Sequence, residues 1–108
     1  MLTPLYSRLG NDPDLSDLVE MFVEGMADRI ARLEDACARR DWTNLRKTAH
    51  QLKGSAGGYG FDTITDSAGT LELALKDSPA AEEVEPLLAA LCELCRRAAT
   101  GSPPLAAS

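Results

Sequence analysis

Residues 45–75, LRKTAHQLKGSAGGYGFDTITDSAGTLELAL, decide the fold class of this 108-residue chain. Apolar and small residues recur in them at steps of about three and four, first before and then after a glycine-rich stretch. The first set is Leu45, Ala49, Leu52 and Ala56, and the second is Phe61, Ile64, Ala68, Leu71 and Leu75. Because these steps follow the 3.6-residue period of an α-helix, each set marks one face of an amphipathic helix. The stretch therefore predicts two helices that meet at Gly57, Gly58 and Gly60.

Two further apolar stripes flank this pair. The first comprises Leu15, Val19, Phe22, Met26, Ile30, Leu33 and Cys37, and the last comprises Val84, Leu87 or Leu88, Leu91, Leu94 or Cys95, and Ala98. The first predicts a long helix over about residues 14–39 that ends before Asp41-Trp42-Thr43. The turn signal Asp77-Ser78-Pro79 precedes the last one. Since proline suits only the first turn of a helix, Pro86 implies that this helix either begins near Glu83 or bends.

Four amphipathic helices with short connections predict an all-α fold, an antiparallel up-down-up-down four-helix bundle. No segment has the period of two that a strand would need. The length fits one domain, which we expect to span residues 1–100. Residues 3–9 are expected to form a short extra N-terminal helix, and residues 101–108, with two prolines, a disordered tail.

Composition excludes several classes of protein. The longest apolar run is far shorter than the ~20 residues of a membrane span, and residues 1–8 lack the basic start and apolar core of a signal peptide. Three scattered cysteines, Cys37, Cys92 and Cys95, do not form a disulfide framework and fit a reducing compartment. A net charge of -6 argues against nucleic-acid binding, which depends on basic residues. We therefore expect a cytoplasmic protein with no membrane insertion.

Residues 39–53 form a basic patch in this acidic chain. They contain five basic residues and one acidic residue, whereas the rest of the chain holds six basic and sixteen acidic residues. His50, the only histidine, lies inside the patch. A solvated surface is the simplest explanation of such a cluster, and charge alone does not separate that explanation from a binding surface.

The second predicted helix turns His50 away from its apolar face. At 100° per residue, the apolar positions lie about 100° to 180° from His50, and the positions within about 60° of it are Thr43, Arg46, Lys47, Lys53, Gly54 and Gly57. Glycine inside a helix costs about 0.5 to 1 kcal/mol against alanine, so Gly54 calls for a reason, such as room for a partner. Alternatively, residues 54–58 are only a long helix terminus, and His50 is an ordinary exposed imidazole.

The sequence HQLKGSAGGYGF, residues 50–61, resembles the phosphorylation motif of histidine-containing phosphotransfer (HPt) domains. That motif is roughly His-x-x-Lys-Gly-small-small, followed by a glycine-rich helix end. The resemblance extends over about residues 5–98. In this family a four-helix bundle displays one histidine that carries a phosphoryl group between receiver-domain aspartates in two-component phosphorelays. The resemblance implies that His50 is phosphorylated, that Lys53 lies beside the phosphoryl group, and that Gly54 lets the receiver approach.

Glu72 is the predicted orienter of the imidazole. A neutral imidazole attacks through the nitrogen that lacks a proton, and a carboxylate that accepts from the other nitrogen fixes this tautomer. Glu72 follows the buried Leu71 as His50 follows the buried Ala49, so an antiparallel neighbouring helix would bring the two together, and similar proteins often have glutamate at this place. The alternative is an ordinary surface pair with Lys76 at i+4.

The remaining expectations concern partners. Arg46, Lys47, Gln51, Gly54 and Gly57 are the predicted contacts with an acidic receiver surface. A response-regulator receiver domain and a hybrid sensor histidine kinase are the expected partners, and the chain is expected to act as a monomer. It is expected to need no cofactor or metal of its own, because Mg²⁺ is expected in the receiver's acidic pocket.

Other motifs compete weakly. Cys92-x-x-Cys95 has the spacing of a redox or zinc pair but lies in a predicted helix without a second pair. The glycines do not form a nucleotide loop, because Lys53 precedes them instead of following them. The protein is therefore expected to be a phosphotransfer intermediate without kinase activity. The alternative function is a noncatalytic bundle, a degenerate HPt domain, that docks partners through the basic face around His50.

Overall fold

The computed structural model describes residues 3–77 and 79–101 of the chain. Its elements are β1 (Leu5–Tyr6), α1 (Ser16–Glu24), α2 (Met26–Ala38), α3 (Trp42–Gly58), α4 (Asp62–Ala74), α5 (Ala81–Arg97) and β2 (Ala98–Ala99). Helix α3 packs between α2 and α4, and α5 closes the bundle by contacting both α4 and α2. The predicted all-α four-helix bundle is confirmed, with α1 and α2 together taking the place of the first helix.

The long first helix predicted over about residues 14–39 is present as two joined helices, α1 and α2, with a bend at Gly25. Nη1 of Arg29 donates a hydrogen bond to the Phe22 carbonyl at 2.8 Å, and the guanidinium lies 4.4 Å from the centre of the Phe22 ring. A Cβ at residue 25 would lie 2.8 Å from the same Nη1 atom. Glycine therefore leaves the space through which Arg29 reaches back across the bend.

The prediction of a short N-terminal helix over residues 3–9 is wrong. Residues Leu5 and Tyr6 instead form β1, which pairs in parallel with Ala98 and Ala99 of β2. The Ser7 hydroxyl then donates to the carbonyl of Tyr59 and accepts from the Leu9 N–H group. These tertiary hydrogen bonds give the polar groups of the segment partners while it is extended, and they override a weak local preference for helix.

The four apolar stripes build a single core. Every member of the two stripes in residues 45–75 is at most 5% exposed. Helix α1 contributes Phe22, whose ring lies 5.1 Å from that of Tyr59 and 5.6 Å from that of Phe61, measured between centroids. The α3–α4 turn is thereby anchored to the first helix, which fixes the orientation of α3 against the rest of the bundle.

Helix α5 begins at Ala81, two residues before the predicted start near Glu83, and it keeps Pro86 inside its second turn. Pro86 and Glu82, whose carbonyl would accept from residue 86 in a regular helix, both lie at exposed positions, where water can replace the missing partner. The predicted tail, residues 101–108, lies outside the described residues except for Gly101. Among the described helices, none has the length and hydropathy needed to cross a bilayer.

Candidate functional site

Helix α3 carries the candidate site. It begins at Trp42 because the Asp41 carboxylate caps it, accepting a hydrogen bond from the Asn44 N–H at 3.1 Å. The buried stripe that starts at Leu45 faces the core, and the His50 side chain, on the opposite side, is 65% exposed. The fold thus presents the imidazole to solvent from the middle of a well-packed helix.

One carboxylate joins the two chemically important residues of the predicted motif. Nδ1 of His50 lies 2.7 Å from Oε2 of Glu72 on α4, and Nζ of Lys53 lies 2.7 Å from Oε1 of the same carboxylate. The Glu72 side chain is only 14% exposed, so it is the least solvated member of this group. Its ion pairs among the described residues are with His50 and Lys53, and not with Lys76 as the surface alternative would have it.

The charge on Glu72 determines which nitrogen of a neutral His50 ring carries the proton. The hydrogen bond from Lys53, followed by the interaction with His50, holds the pKa of Glu72 below its ordinary value of 4.5, against the opposing effect of partial burial. An ionised carboxylate can only accept, so a neutral His50 must donate its Nδ1 proton to Glu72. The lone pair of the ring is then on Nε2, the nitrogen that is free to act as a nucleophile.

Two residues that the sequence analysis did not assign hold Lys53 in place. A Cβ at Gly69 would lie 3.4 Å from Cδ of Lys53, so the lysine stem passes over α4 at this glycine on its way to Glu72. The Thr65 hydroxyl donates to the Lys53 carbonyl at 3.0 Å and fixes the approach of α4 to α3. Gly69 and Thr65 lie one and two turns before Glu72, and that spacing was the available signal for both.

The predicted glycines of the contact surface differ in their surroundings. A Cβ added at Gly54 would meet no atom within 4 Å, and the same is true of Gly58. A Cβ at Gly57 would lie 3.3 Å from the Thr65 hydroxyl, so Gly57 borders the contact with α4. Gly54, one turn from His50, is therefore the open position that leaves backbone accessible beside the imidazole.

Arg46 and Lys47 lie beside His50 on the other side, along a groove between α3 and α4. Its lining residues are Trp42, Thr43, Arg46, Lys47, His50, Glu72, Leu75, Lys76 and Pro79, and its volume is about 630 Å³. Gln51, also predicted as a partner contact, lies instead in a separate depression with Arg29 and Arg32 of α2. The structure therefore brings Arg46 and Lys47 together with the histidine and separates Gln51 from them.

The groove itself was not predicted from the sequence. Trp42 and Thr43 come from the start of α3, whereas Leu75, Lys76 and Pro79 come from the residues that follow α4. The only sequence signal was that Lys76 follows Glu72 by one helical turn. These two sets of residues lie close together only because of the position of α4 along α3 in the folded bundle. A helical pattern alone does not specify that position.

The cysteine pair does not form a second site. All three cysteines are buried and free. Burial raises the pKa of Cys92 to about 11 and the pKa of Cys95 to about 12. Since the thiolate is the form that attacks disulfides and binds zinc, these side chains act as packing groups at neutral pH.

The fold and the site together define a class of protein: a four-helix bundle that presents one exposed histidine, oriented by a carboxylate and flanked by a lysine. A family model described as the Hpt domain matches residues 17–101, which include His50, Lys53 and Glu72. The chain therefore belongs to the Hpt domain family, whose members carry out histidine phosphotransfer in two-component phosphorelays. Neither the curated proteins nor the solved structures gave a match.

Proposed function

We propose that this protein is a phosphocarrier in which His50 accepts a phosphoryl group from the aspartate of one receiver domain and donates it to the aspartate of another. The observation that carries the proposal is the 2.7 Å contact between Nδ1 of His50 and the Glu72 carboxylate. Because an ionised carboxylate only accepts, this contact supports a neutral ring that carries its proton on Nδ1 and attacks through the exposed Nε2.

The transfer balances without a cofactor of this chain. The Nε2 lone pair of His50 attacks phosphorus, the bond between phosphorus and the aspartyl oxygen breaks, and the aspartate leaves as a carboxylate. The imidazole gains positive charge as the new bond forms, and the adjacent Glu72 carboxylate stabilises that charge. In the reverse step an aspartate oxygen attacks phosphorus, the bond between phosphorus and Nε2 breaks, and its electron pair returns to the ring to restore neutral His50.

Lys53 is the cation best placed to assist this step. Phosphoryl transfer depends mainly on alignment and on stabilising charge at the equatorial oxygens. The four-carbon stem of Lys53 is flexible, so its ammonium can leave Oε1 of Glu72 for a phosphoryl oxygen without any movement of the helix. Glu72 thus holds the lysine beside His50 until the phosphoryl group arrives.

The partner surface follows from the same geometry. The receiver approaches over Gly54, contacts Arg46 and Lys47 through its acidic surface, and supplies the Mg²⁺ that phosphoryl transfer requires. Gly57 borders this surface, whereas Gln51 lies outside it, in the depression with Arg29 and Arg32. A hybrid sensor histidine kinase is the proposed source of phosphoryl groups, and a monomer in the cytoplasm, where the three thiols stay reduced, is the proposed state.

The test is a labelling experiment with purified proteins. The chain is incubated with a panel of receiver domains that carry radiolabelled phosphate, and acid-labile, base-stable phosphate is measured on wild type and on His50→Gln. We expect label on wild type only, with both proteins folded and melting cooperatively, because His50 faces solvent and little packing is lost with it. Label retained by His50→Gln would contradict the site. Receiver binding without any label on wild type would instead support the noncatalytic docking module.

A further inference from the structure

The groove beside His50 has an apolar floor. Leu75 is 5% exposed there, and Trp42 and Pro79 are half-buried along its sides. Its volume of about 630 Å³ exceeds what one side chain would fill. An aromatic side chain with an exposed edge next to an aliphatic floor is typical of positions that bury an apolar side chain of a partner.

The rim of the groove is cationic. Arg46, Lys47 and Lys76 line it, and none of the three forms an ion pair within residues 3–77 and 79–101. The one carboxylate in the lining, Glu72, is already engaged by His50 and Lys53. The groove therefore concentrates uncompensated positive charge in a chain whose net charge is -6.

The surfaces on the two sides of His50 along α3 differ. The groove lies on the side of His50 toward the start of α3, whereas Gly54 and Gly58 lie on the side toward its end. The glycine side offers open backbone, and the groove side offers apolar surface with cations. A partner that covers His50 from above must match these two different surfaces at once.

We propose that the groove receives an acidic segment of the receiver partner that inserts one apolar side chain against Trp42 and Leu75. Carboxylates on either side of that apolar side chain face Arg46 and Lys47 on α3 and Lys76, which lies just after α4. The identity of the partner rests on the proposed function. The groove thereby selects among receivers by the sequence of this segment and fixes the direction in which the receiver's aspartate reaches His50.

Trp42 reports directly on the groove, because it is the only tryptophan in the chain. One probe is a short synthetic peptide with a leucine flanked by glutamates, and its control is the same peptide with lysines in place of the glutamates. We expect the acidic peptide to shift the emission of Trp42 to shorter wavelength and the basic peptide to leave it unchanged. Equal responses to the two peptides, or no response to either, would overturn the proposal.

The second probe is the receiver domain that labels the chain fastest in the panel described above. We expect Lys76→Glu to raise the Kd for this receiver roughly tenfold, because it places a like charge opposite the acidic segment. The matched control is Arg32→Glu, which makes the same charge change on α2, where Arg32 is an exposed partner of Asp28. Equal Kd values for the two variants, with unchanged melting temperatures, would overturn the proposal.

These outcomes separate the groove from the phosphotransfer reaction. If the acidic peptide shifts Trp42 emission but no receiver labels His50, the preference of the groove for acidic segments stands and the proposed reaction fails. If His50 is labelled while Lys76→Glu behaves like Arg32→Glu, the reaction stands and the groove proposal fails.

Discussion

At the residue scale, Glu72 organises the site by dividing its two oxygens between His50 and Lys53. Each contact is short, and the carboxylate itself is largely shielded from water. Charge-assisted hydrogen bonds of this kind are stronger than neutral ones and restrict both partners. The imidazole and the ammonium are therefore held beside each other before any partner binds, which would reduce the ordering needed in the proposed transfer.

Glu72→Gln should slow the phosphorylation of His50 by about tenfold, since the amide is a weaker acceptor for the Nδ1 proton and does not stabilise positive charge on the ring. The rate is measured by labelling from a phosphorylated receiver. Glu93→Gln is the matched control. Glu93 is exposed on α5, so this substitution makes the same chemical change away from the site. Equal rates for the two variants would rule out an orienting role for Glu72.

The depressed pKa of Glu72 also predicts a pH dependence of stability. A carboxyl whose pKa is lower in the folded state contributes stability that is fully present above its unfolded value of 4.5 and is lost as pH falls through the lower folded value. The difference in unfolding free energy between wild type and Glu72→Gln should thus be largest near neutral pH and shrink below pH 4.5. Urea unfolding of both proteins across this range checks the sign. A constant difference would contradict it.

Lys53→Ala should slow transfer while leaving α3 intact, because alanine is at least as good a helix former as lysine. It should also raise the pKa of Glu72 toward its ordinary value, since the hydrogen bond from Lys53 is the main cause of the depression. The labelling rate and an NMR titration of the Glu72 carboxyl measure the two effects. A raised pKa with an unchanged rate would limit Lys53 to holding Glu72 in place.

At the element scale, α3 separates its buried and functional faces almost completely. The buried face was predictable from the spacing of apolar residues, and the functional face followed from it by rotation about the helix axis. The position of Glu72 on α4 could be anticipated in the same way, because adjacent antiparallel helices place equivalent positions opposite each other. The bend at Gly25 could not, since it depends on a contact between Arg29 and the Phe22 carbonyl that only the folded helix creates.

Gly54 tests whether the open part of α3 is a docking surface. Because an added Cβ meets nothing within 4 Å, Gly54→Ala should raise the unfolding free energy by about 0.5 to 1 kcal/mol, and Gly54→Leu should also fold. The leucine should nevertheless slow transfer, because it projects into the space that the receiver's phosphoaspartate must enter. Transfer rates and thermal melting are measured together.

Gly58→Leu is the matched control for this surface. Gly58 is equally open, but it lies about 12 Å beyond His50 along the helix at 1.5 Å per residue. We expect it to transfer at nearly the wild-type rate. If the two leucine variants behave alike, the docking role assigned to Gly54 is wrong.

At the scale of the whole molecule, the segment before α1 connects the end of α5 and β2 to the α3–α4 turn. The Arg8 N–H group donates to the Gly60 carbonyl at 3.1 Å, and Arg97 donates to the Thr3 carbonyl at 2.8 Å. Ser7, the one buried polar side chain within the described residues, bonds to the carbonyl of Tyr59. This segment lies outside the family match, which begins at residue 17.

These long-range contacts explain why the structure of the segment could not be predicted from sequence patterns. Residues 3–10 contain no amphipathic repeat long enough to specify an element, and the tertiary hydrogen bonds of Ser7 and Arg8 reach residues more than fifty positions away. The four helices were predictable because each carries its own periodic signal. The segment and the groove were not, because both are formed by residues from separate elements that meet only in the folded chain.

Removal of residues 1–10 should therefore lower the melting temperature by roughly 10 °C, as about 2 kcal/mol of hydrogen bonding and apolar burial is lost from a domain of this size. The control is Arg8→Ala in the full chain. It removes only an exposed ion pair with Asp62, and such pairs contribute about 0 to 1 kcal/mol.

Well below the melting temperature, the shortened protein should still be labelled at His50. Tyr59, where the segment binds α3, lies about 13 Å along the helix from His50, and neither Glu72 nor Lys53 contacts the segment. An unchanged melting temperature would show that the segment adds no stability. Loss of labelling in a folded, shortened protein would instead show that the segment orients α3 or α4 for transfer, because it contacts the end of α3 at Tyr59 and the start of α4 at Asp62.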